Sequence, residues 1–401
     1  MSLPSDRLSP IAPLARTPEE WAQTLRSSGS RSFHARQLFR WIHARGVLQP
    51  ERMTDLPKDL RAELGLLELD RTMQVAQERR AVDDTRKLLV RLRDSATVET
   101  VLIPAISGAK GLLPSPVEVP EQDADAAAAV EDEEEDLSND DSQDAAPVRV
   151  TQCVSTQVGC AMGCVFCASG VAGLKRSLGP DEIVAQVIVG RGRLDDHERL
   201  RNVVFMGMGE PLHNCDATFR ALRLLTHPDG IGLSARRITV STSGLVPEIA
   251  RLGSEFGGSI GLAVSLHATD DETRSRLMPI NRKYPLASLM EALRAYPLPR
   301  RRRITIEYTL VAGRNDTPAE AKTLARLLRG IPVKVNLIPM NPIAASALGP
   351  PDVRRVLDFQ KVLCDAGYSC FIRRRRGDDV SAACGQLALL GARPKVRVNR
   401  G

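Results

Sequence analysis

The chain has 401 residues, of which 43% are hydrophobic, and its formal net charge is +6. This length allows one large domain and a smaller one with a substantial core. Residues 1–21 contain no continuous apolar stretch, which argues against a secretory signal or a membrane anchor, so we expect a cytoplasmic protein. Eight cysteines are few for this length, and we therefore expect thiols in a reducing compartment rather than a disulfide framework.

Charge is unevenly distributed along the chain. Residues 111–148 hold 13 acidic residues and no basic residue, so the remainder is more basic than the net charge indicates. A folded body with such an excess attracts polyanions, which makes nucleic acid the leading class of partner. The alternative is a solvated basic surface that serves solubility alone.

The first predicted elements are helical. Residues 1–70 carry an apolar set that includes Phe33 and Trp41 beside basic residues, which predicts a small helical module able to contact RNA through phosphates and unpaired bases. Two short strand-like runs with a polar turn between them predict a β-hairpin extension over residues 71–104. Residues 105–148 are rich in proline, alanine and acidic residues, so we expect an acidic disordered insertion there.

From residue 149 onward, apolar strand-like runs alternate with amphipathic helical segments. The strands are predicted at 201–207, 237–241, 259–265, 303–310 and 333–338, and the helices at 180–191, 217–226, 246–252, 286–295, 318–328 and 352–366. This β-then-α order predicts an α/β fold class, with a parallel sheet curved into a barrel or partial barrel over residues 149–390. No G-x-G-x-x-G motif follows the first strand, so a Rossmann-type cofactor site is not expected. Residues 391–401 form a basic tail.

Three cysteines in the spacing C-x3-C-x2-C form the most informative motif. Cys160, Cys164 and Cys167 supply three thiolates to one small site. Structural zinc almost always takes four protein ligands, whereas a [4Fe-4S] cluster held by three cysteines leaves one iron open to bind another molecule. The sequence therefore predicts a [4Fe-4S] cluster on these metal ligands, and a zinc knuckle or a chance group of buried thiols is the alternative.

Polar motifs follow several of the predicted strands. Gly209 and Glu210 lie in a glycine-rich turn directly after a strand, where the carboxylate suits an ammonium group. Further polar motifs follow later strands in the same way: Ser241, Ser265, Leu266, His267 and Asn341. Parallel strands would gather these groups at one edge, as a cofactor with ribose, carboxylate and base requires. Taken singly, each such residue is as often a structural group or part of a surface turn.

Two cysteines outside the motif have a distinctive context. Cys153 lies seven residues before Cys160, and Cys384 follows the four arginines of residues 373–376. A cationic neighbourhood lowers the pKa of a thiol and makes it a better nucleophile, although an isolated cysteine is usually a small buried hydrophobe. The residues alone leave both interpretations of Cys384 open.

Taken together, the motifs resemble those of the RlmN/Cfr family of radical S-adenosylmethionine (SAM) RNA methyltransferases. The runs that carry the resemblance occur in one order along nearly the whole chain: VETV from Val98, CVSTQVGC from Cys153, GMGEPL from Gly207, STSG from Ser241, SLHA from Ser265, NLIP from Asn336 with Asn341-Pro342, and the segment from Arg376 to Gln386. The resemblance implies a partial (β/α)6 TIM-like radical SAM barrel. It also implies SAM binding by Gly209, Glu210, Ser241, Ser265, Leu266, His267 and Asn341.

The activity implied by the resemblance is methylation of adenine C2, at adenine 2503 in the peptidyl transferase centre of 23S rRNA and at adenine 37 of tRNA. Because C2 is an electron-poor carbon, it cannot attack a sulfonium methyl group, and a radical route removes this obstacle. Cys384 would carry the methyl group as S-methylcysteine, and Cys153 would release the product by forming a transient disulfide with Cys384. Glu99 would accept the proton lost from C2.

Further expectations follow from the same resemblance. Each methylation would consume two SAM molecules on one [4Fe-4S] cluster per chain, and an electron donor such as flavodoxin or ferredoxin would reduce the cluster. The partners would be 23S rRNA and tRNA, with no membrane, and the chain is expected to be a monomer.

Three alternatives stay open. A Cfr-type enzyme would methylate C8 of the same 23S rRNA adenine. A glycyl-radical activase would have no use for two remote cysteines, and a sulfur-inserting enzyme would usually need a second cluster motif, which the sequence lacks. An RNA-binding module with structural zinc would show no SAM cleavage and would tolerate Cys384→Ala.

Overall fold

A computed structural model of the chain describes residues 11–26, 31–105, 147–344 and 346–387. The basic tail and, apart from its ends, the acidic insertion of the sequence analysis lie outside the described residues. No helix in the described part of the chain has both the length and the apolar character needed to cross a membrane.

The N-terminal region is helical, as the sequence predicts. It contains α1 (Pro18–Arg26), α2 (Ser32–Phe39) and α3 (Lys58–Gly65), whose apolar residues belong to the main hydrophobic core. Hydrogen bonds also tie this region to the rest of the molecule, because the Arg191 guanidinium donates to the His43 carbonyl at 2.8 Å. The region is therefore packed onto the barrel and not separated from it.

One ten-stranded sheet runs through the molecule. Its first part is antiparallel and consists of β1 (Met73–Arg80), β2 (Arg86–Leu92), β3 (Thr97–Pro104) and β4 (Val148–Cys153). The sequence predicts the hairpin of β2 and β3 but not β1. That edge strand is mostly exposed and carries polar side chains on both faces, so it lacks the alternating pattern that reveals a half-buried strand.

The rest of the sheet is parallel, which confirms the predicted fold class. Beyond β4 and the small separate pair β5 (Gln157–Val158) and β6 (Arg176–Ser177), the parallel strands follow in chain order: β7 (Glu198–Phe205), β8 (Ile238–Thr242), β9 (Gly261–Ser265), β10 (Ile304–Leu310), β11 (Val333–Pro339) and β12 (Cys370–Ile372). With β4 this makes seven parallel strands where six were expected, because the three-residue β12 adds to the edge.

Helices alternate with these strands and cover the sheet. They are α4 (Ala168–Ala172), α5 (Pro180–Arg191), α6 (Cys215–Thr226), α7 (Val246–Phe256), α8 (Asp271–Leu277), α9 (Leu286–Ala295), α10 (Pro318–Leu327) and α11 (Val353–Asp365). β10 is buried along most of its length, although it carries Thr305, Glu307 and Thr309 besides its apolar residues. Glu307 is a buried carboxylate that lines the candidate site.

Candidate active site

A cavity lies at the C-terminal ends of the parallel strands. Its empty volume is about 920 Å³, part of which is continuous with solvent. Most of the predicted site residues line it: Cys160, Cys164, Cys167, Gly209, Glu210, Ser241, Ser265, His267, Asn341 and Cys384. The remaining three, Cys153, Leu266 and Glu99, lie outside this lining.

The loop with the three clustered cysteines forms one wall of the cavity. Burial raises the pKa of Cys160 to about 12 and that of Cys164 well above its ordinary value, and neighbouring thiols add to both shifts. Their sulfur atoms therefore lie near one another. Such thiols need a positively charged metal centre to be held as thiolates.

The number of thiols distinguishes between metals. Structural zinc almost always takes four protein ligands, whereas a [4Fe-4S] cluster held by three thiolates leaves one iron open to bind another molecule. The donor set of Cys160, Cys164 and Cys167 therefore fits such a cluster better than a closed zinc site.

The turn after β7 presents a buried carboxylate. Gly209 has a φ of +101°, and a Cβ there would lie 2.6 Å from the Cβ of Gln157, so the turn requires glycine. The Glu210 carboxylate accepts hydrogen bonds from the amides of Leu212 at 3.1 Å and Ser243 at 2.7 Å. Burial raises the pKa of Glu210, and these hydrogen bonds oppose the shift.

Glu210 has no cationic partner. No lysine or arginine of the described residues forms an ion pair with it, although its side chain is almost fully buried. A buried charge without a partner is costly, so a bound ammonium group would stabilise it. This supports the ammonium site expected at Glu210.

His267 is a neutral hydrogen-bond donor. Its Nδ1 accepts the backbone N–H of Thr309 at 2.9 Å, so the ring proton lies on Nε2. Burial lowers the pKa of His267 to about 3, which keeps the ring neutral. The residue has a positive φ of 58°, and the Phe166 ring packs edge-on at 4.8 Å. A strained backbone held in this way is typical of functional sites.

Leu266 contributes its backbone. Its side chain is fully buried in the core, while its carbonyl accepts a hydrogen bond from Arg274 at 3.0 Å. The same guanidinium donates to the carbonyls of Ser243 at 2.7 Å and Ser265 at 3.1 Å. Arg274 therefore fixes the ends of β8 and β9 relative to each other.

Two buried polar atoms in the cavity wall lack a hydrogen-bond partner. They are Glu307 Oε2 and Asn341 Oδ1. An unsatisfied buried polar group costs about 1–3 kcal/mol, so two in one cavity indicate that a polar ligand satisfies them. Sequence reasoning missed Ser243 and Glu307, although a glutamate inside the predicted strand ITIEYTL is a detectable signal.

Cys153 and Cys384 come together beside the cavity. Burial raises the pKa of Cys153 to about 12, and the second contribution comes from the neighbouring thiol of Cys384. Cys384 is exposed, and its carbonyl accepts a hydrogen bond from the Asn341 side chain at 3.0 Å. All eight cysteines of the chain are described and none forms a disulfide. Two thiols 231 positions apart in sequence therefore lie close together in the fold.

Three of the arginines before Cys384 have partners elsewhere in the fold. Arg373 faces Glu307 at 3.6 Å, Arg375 donates to a backbone carbonyl, and Arg376 pairs with Asp83 at 2.9 Å. Most of the positive charge in residues 373–376 thus holds the C-terminal segment in place.

Glu99 is paired with a lysine. Its carboxylate lies 3.0 Å from the Lys87 ammonium group, and both side chains are largely buried. The residue lies on β3, two positions before Val101, which is the register partner of Cys153. Glu99 is therefore near Cys153 along the sheet but does not line the cavity.

A buried polar network supports the site from behind. Gln186 donates to the Ser155 carbonyl and accepts from the Ser155 amide, each at 2.8 Å. Ser155 Oγ accepts from the Met208 amide of the glycine-rich turn at 2.8 Å. Thr100 Oγ1 donates to the Cys153 carbonyl at 2.7 Å. The network therefore fixes the turn and Cys153 together.

Comparisons with known proteins agree with this geometry. The Radical SAM superfamily matches residues 154–328, and the ribosomal RNA large subunit methyltransferase N-terminal domain matches residues 15–67. The chain is 66% identical to the dual-specificity RNA methyltransferase RlmN of Sorangium cellulosum (strain So ce56), over 98% of this chain and 99% of the relative. It is 45% identical to the RlmN of Syntrophobacter fumaroxidans, over 92% and 94% of the two chains.

A solved structure is also similar. The crystal structure of a radical SAM methyltransferase from Sphaerobacter thermophilus has a TM-score of 0.79 and 41% sequence identity, and the match covers 94% of this chain and 99% of that one. The similarity therefore extends over the N-terminal region, the sheet and the cavity.

Proposed function

This chain belongs to the RlmN family of radical SAM RNA methyltransferases, and we propose that it methylates C2 of adenine in 23S rRNA and in tRNA. The proposed targets are adenine 2503 in the peptidyl transferase centre and adenine 37 of tRNA. The observation that carries this proposal is the meeting of Cys153 and Cys384 beside the three-cysteine loop. A radical SAM enzyme without a methyl-carrying cysteine has no need of that pair.

Radical SAM enzymes use a [4Fe-4S] cluster and SAM, and the cavity fits both. Cys160, Cys164 and Cys167 would hold a single cluster through three thiolates. When bound, the cluster and SAM supply one-electron chemistry and a transferable methyl group. The three neighbouring buried thiols and the unsatisfied polar atoms of Glu307 and Asn341 in the cavity wall support this assignment.

Different residues of the cavity would bind different groups of SAM. Glu210, placed by the turn at Gly209, would bind the ammonium group through its unpaired buried carboxylate. His267 would donate its Nε2–H. The remaining polar atoms of the cofactor would be bound by hydroxyl, amide and backbone groups of four residues: Ser241, Ser265, Leu266 and Asn341.

The two remote cysteines would have different roles because their environments differ. Cys384 is exposed and would accept a methyl group on its sulfur atom, losing the thiol proton. Cys153 has its pKa raised by burial, so it stays protonated at neutral pH and does not compete for the methyl group. After the methyl carbon joins C2, Cys153 would give up its thiol proton and its sulfur would attack the Cys384 sulfur. The S–C bond would break as the S–S bond forms, its electron pair would stay on the carbon attached to C2, and a proton would bind there to complete the methyl group. A dithiol would then reduce the disulfide by two electrons.

Proton removal from C2 is the role proposed for Glu99. Its carboxylate lies 3.0 Å from the Lys87 ammonium group and would accept the proton lost from C2. Because Glu99 does not line the cavity, the RNA base would have to approach along β3 from the side of Cys153. A target adenine would therefore leave its stack before reaction.

The remaining partners follow from the same assignment. Residues 1–70 would contact RNA, since Phe33 is half exposed on α2 and could stack on an unpaired base. An electron carrier such as flavodoxin or ferredoxin would reduce the cluster. The chain, with its barrel over residues 149–390, would act as a monomer.

An anaerobic reconstitution tests the proposed function. The chain is loaded with iron and sulfide and then given SAM, a reductant and ribosomal or transfer RNA. We expect 5′-deoxyadenosine from SAM and 2-methyladenosine in the RNA. The 2-methyladenosine should be absent from both kinds of RNA in Cys384→Ala and should be retained in the matched control Cys364→Ala, at an exposed cysteine of α11. The appearance of 8-methyladenosine would select a Cfr-type enzyme, and bound zinc without SAM cleavage would refute the assignment.

A further inference from the structure

The segment that carries Cys384 is anchored on a turn that lies about 300 positions earlier in the sequence. This turn, residues 81–85, joins β1 and β2 and is called the clamp turn below. The Asp83 Oδ2 atom accepts hydrogen bonds from Arg376 Nε at 2.9 Å and from the Gly377 amide at 3.0 Å. Its Oδ1 atom accepts from the Thr85 amide at 3.0 Å. Both oxygen atoms of one carboxylate are therefore used as acceptors.

Additional contacts join the clamp turn and its strands to the same segment. The Arg376 guanidinium also reaches the Pro104 carbonyl at 2.7 Å, and the Lys87 ammonium donates to the Ser381 carbonyl at 3.1 Å. Gly377 has a φ of +61°, and a Cβ there would lie 2.9 Å from the Thr85 side chain. The segment thus approaches the clamp turn as closely as its backbone permits.

The other end of the segment is held by the cluster loop. The Gly385 carbonyl accepts from the Ala168 amide at 2.8 Å, directly after Cys167, and the Ser169 hydroxyl donates to the Leu387 carbonyl at 2.6 Å. Cys384 lies between these two attachments. The position of its sulfur atom therefore depends in part on these backbone attachments.

From these contacts we infer that Asp83 is a positioning residue for Cys384, which it holds in place through Arg376 and Gly377. This inference rests on the proposed function for the role of Cys384. Transfer reactions depend strongly on sub-ångström placement of the reacting atoms, so loosening one anchor would slow methyl transfer to the sulfur atom. Burial tends to raise the pKa of Asp83, but the hydrogen bonds of Gly377 and Thr85 and the charge of Arg376 hold it below its usual value, which keeps the anchor ionised.

Asp83→Asn is the sharpest perturbation of this anchor. Asparagine keeps the shape but offers one acceptor oxygen, so its amide group must face either the Thr85 amide or the donors of Arg376 and Gly377. The matched control is Asp84→Asn on the same turn. Asp84 is exposed, pairs only with nearby Arg80 among the described residues, and has a φ of +62° that asparagine tolerates. Arg376→Gln removes the anchor from the opposite side.

The first measurement is hydrogen exchange in the cluster-loaded full chain. We expect Asp83→Asn and Arg376→Gln to accelerate exchange in residues 377–387 at least tenfold, with exchange in β10 unchanged and Asp84→Asn like the wild type. The second measurement is the methyl group found on Cys384 by mass spectrometry after incubation with SAM. We expect its rate of appearance to fall at least tenfold in both anchor variants.

Two outcomes would overturn the inference. One is unchanged exchange in residues 377–387, and the other is faster exchange throughout the chain, which would show a general loss of stability. If the wild type itself acquires no methyl group while the exchange pattern is as expected, the proposed function fails and the anchoring by Asp83 stands.

Discussion

The buried carboxylate of Glu210 gives the most direct test of the cofactor site. In Glu210→Gln the side chain keeps its size but loses its charge and one of its two acceptor oxygens. The amides of Leu212 and Ser243 then compete for the single remaining oxygen, since both now donate to the carboxylate. The variant therefore loses the ammonium partner and disturbs the turn that carries it.

The expected size of the effect follows from the contacts. A hydrogen bond to a charged group contributes about 1.5–3 kcal/mol, and about 1.4 kcal/mol corresponds to a tenfold change in affinity. The dissociation constant for SAM should therefore rise roughly 10- to 100-fold in the cluster-loaded variant. The other partners of the Glu210 carboxylate are neutral donors such as the Leu212 and Ser243 amides, and no lysine or arginine of the described residues pairs with it.

Equilibrium dialysis with two ligands isolates the charge effect. SAM carries the ammonium group, whereas 5′-methylthioadenosine shares the nucleoside part and lacks the amino acid. We expect Glu210→Gln to weaken SAM binding alone and to leave 5′-methylthioadenosine binding within twofold of the wild type. Equal weakening of both ligands would refute the assignment, because it would mean that the substitution collapses the cavity instead of removing an ammonium partner.

Three further predictions concern stability and product release. Burial lowers the pKa of His43 to about 3, so between pH 6.5 and pH 3 only the unfolded chain binds its proton. This residue should lower the free energy of unfolding by about 2 kcal/mol from pH 7 to pH 5, and His267, whose pKa is also about 3, should add a fall of similar size. In urea titrations the fall should therefore be about 2 kcal/mol smaller in His43→Phe than in the wild type. Gln186→Met leaves the amide and carbonyl of Ser155 unpaired and should cost about 2–6 kcal/mol in the same assay, whereas Gln74→Met on exposed β1 should cost less than about 0.5 kcal/mol. Cys153→Ser cannot form the disulfide that releases the product, so RNA should stay attached to Cys384 and migrate with the protein on a denaturing gel. If this variant released RNA containing 2-methyladenosine at the wild-type rate, the role of Cys153 in product release would be contradicted.

Much of the barrel could be predicted because its elements carry strong local patterns. The helices predicted at 180–191 and 286–295 match α5 and α9, since each is a continuous amphipathic or apolar run with a proline at or before its start. The edge strand β1 and the three-residue β12 could not be predicted in this way. Their pairing depends on neighbours distant in sequence, and neither has a pattern of its own.

The candidate site also has features that local sequence patterns predict and contacts that they do not. The cysteine spacing and the residues after each strand could be read locally, and the fold brings them together as parallel strands require. The arginines of residues 373–376 illustrate what local reading misses. Their place in the sequence predicts an action on the Cys384 thiol, whereas the Arg376 guanidinium donates to the Asp83 carboxylate nearly 300 positions earlier. No local pattern could reveal that contact.

The antiparallel pairing of β3 with β4 makes the acidic insertion a suitable grafting point. The amide of Ala105 donates to the carbonyl of Arg149 at 2.7 Å, so the chain leaves and re-enters the sheet at adjoining positions. Closing a connection the length of residues 106–146 costs only roughly 2 kcal/mol more than closing a short turn. A fluorescent domain or affinity handle whose own termini lie close together could therefore replace those residues, provided that Pro104 keeps its contact with Arg376.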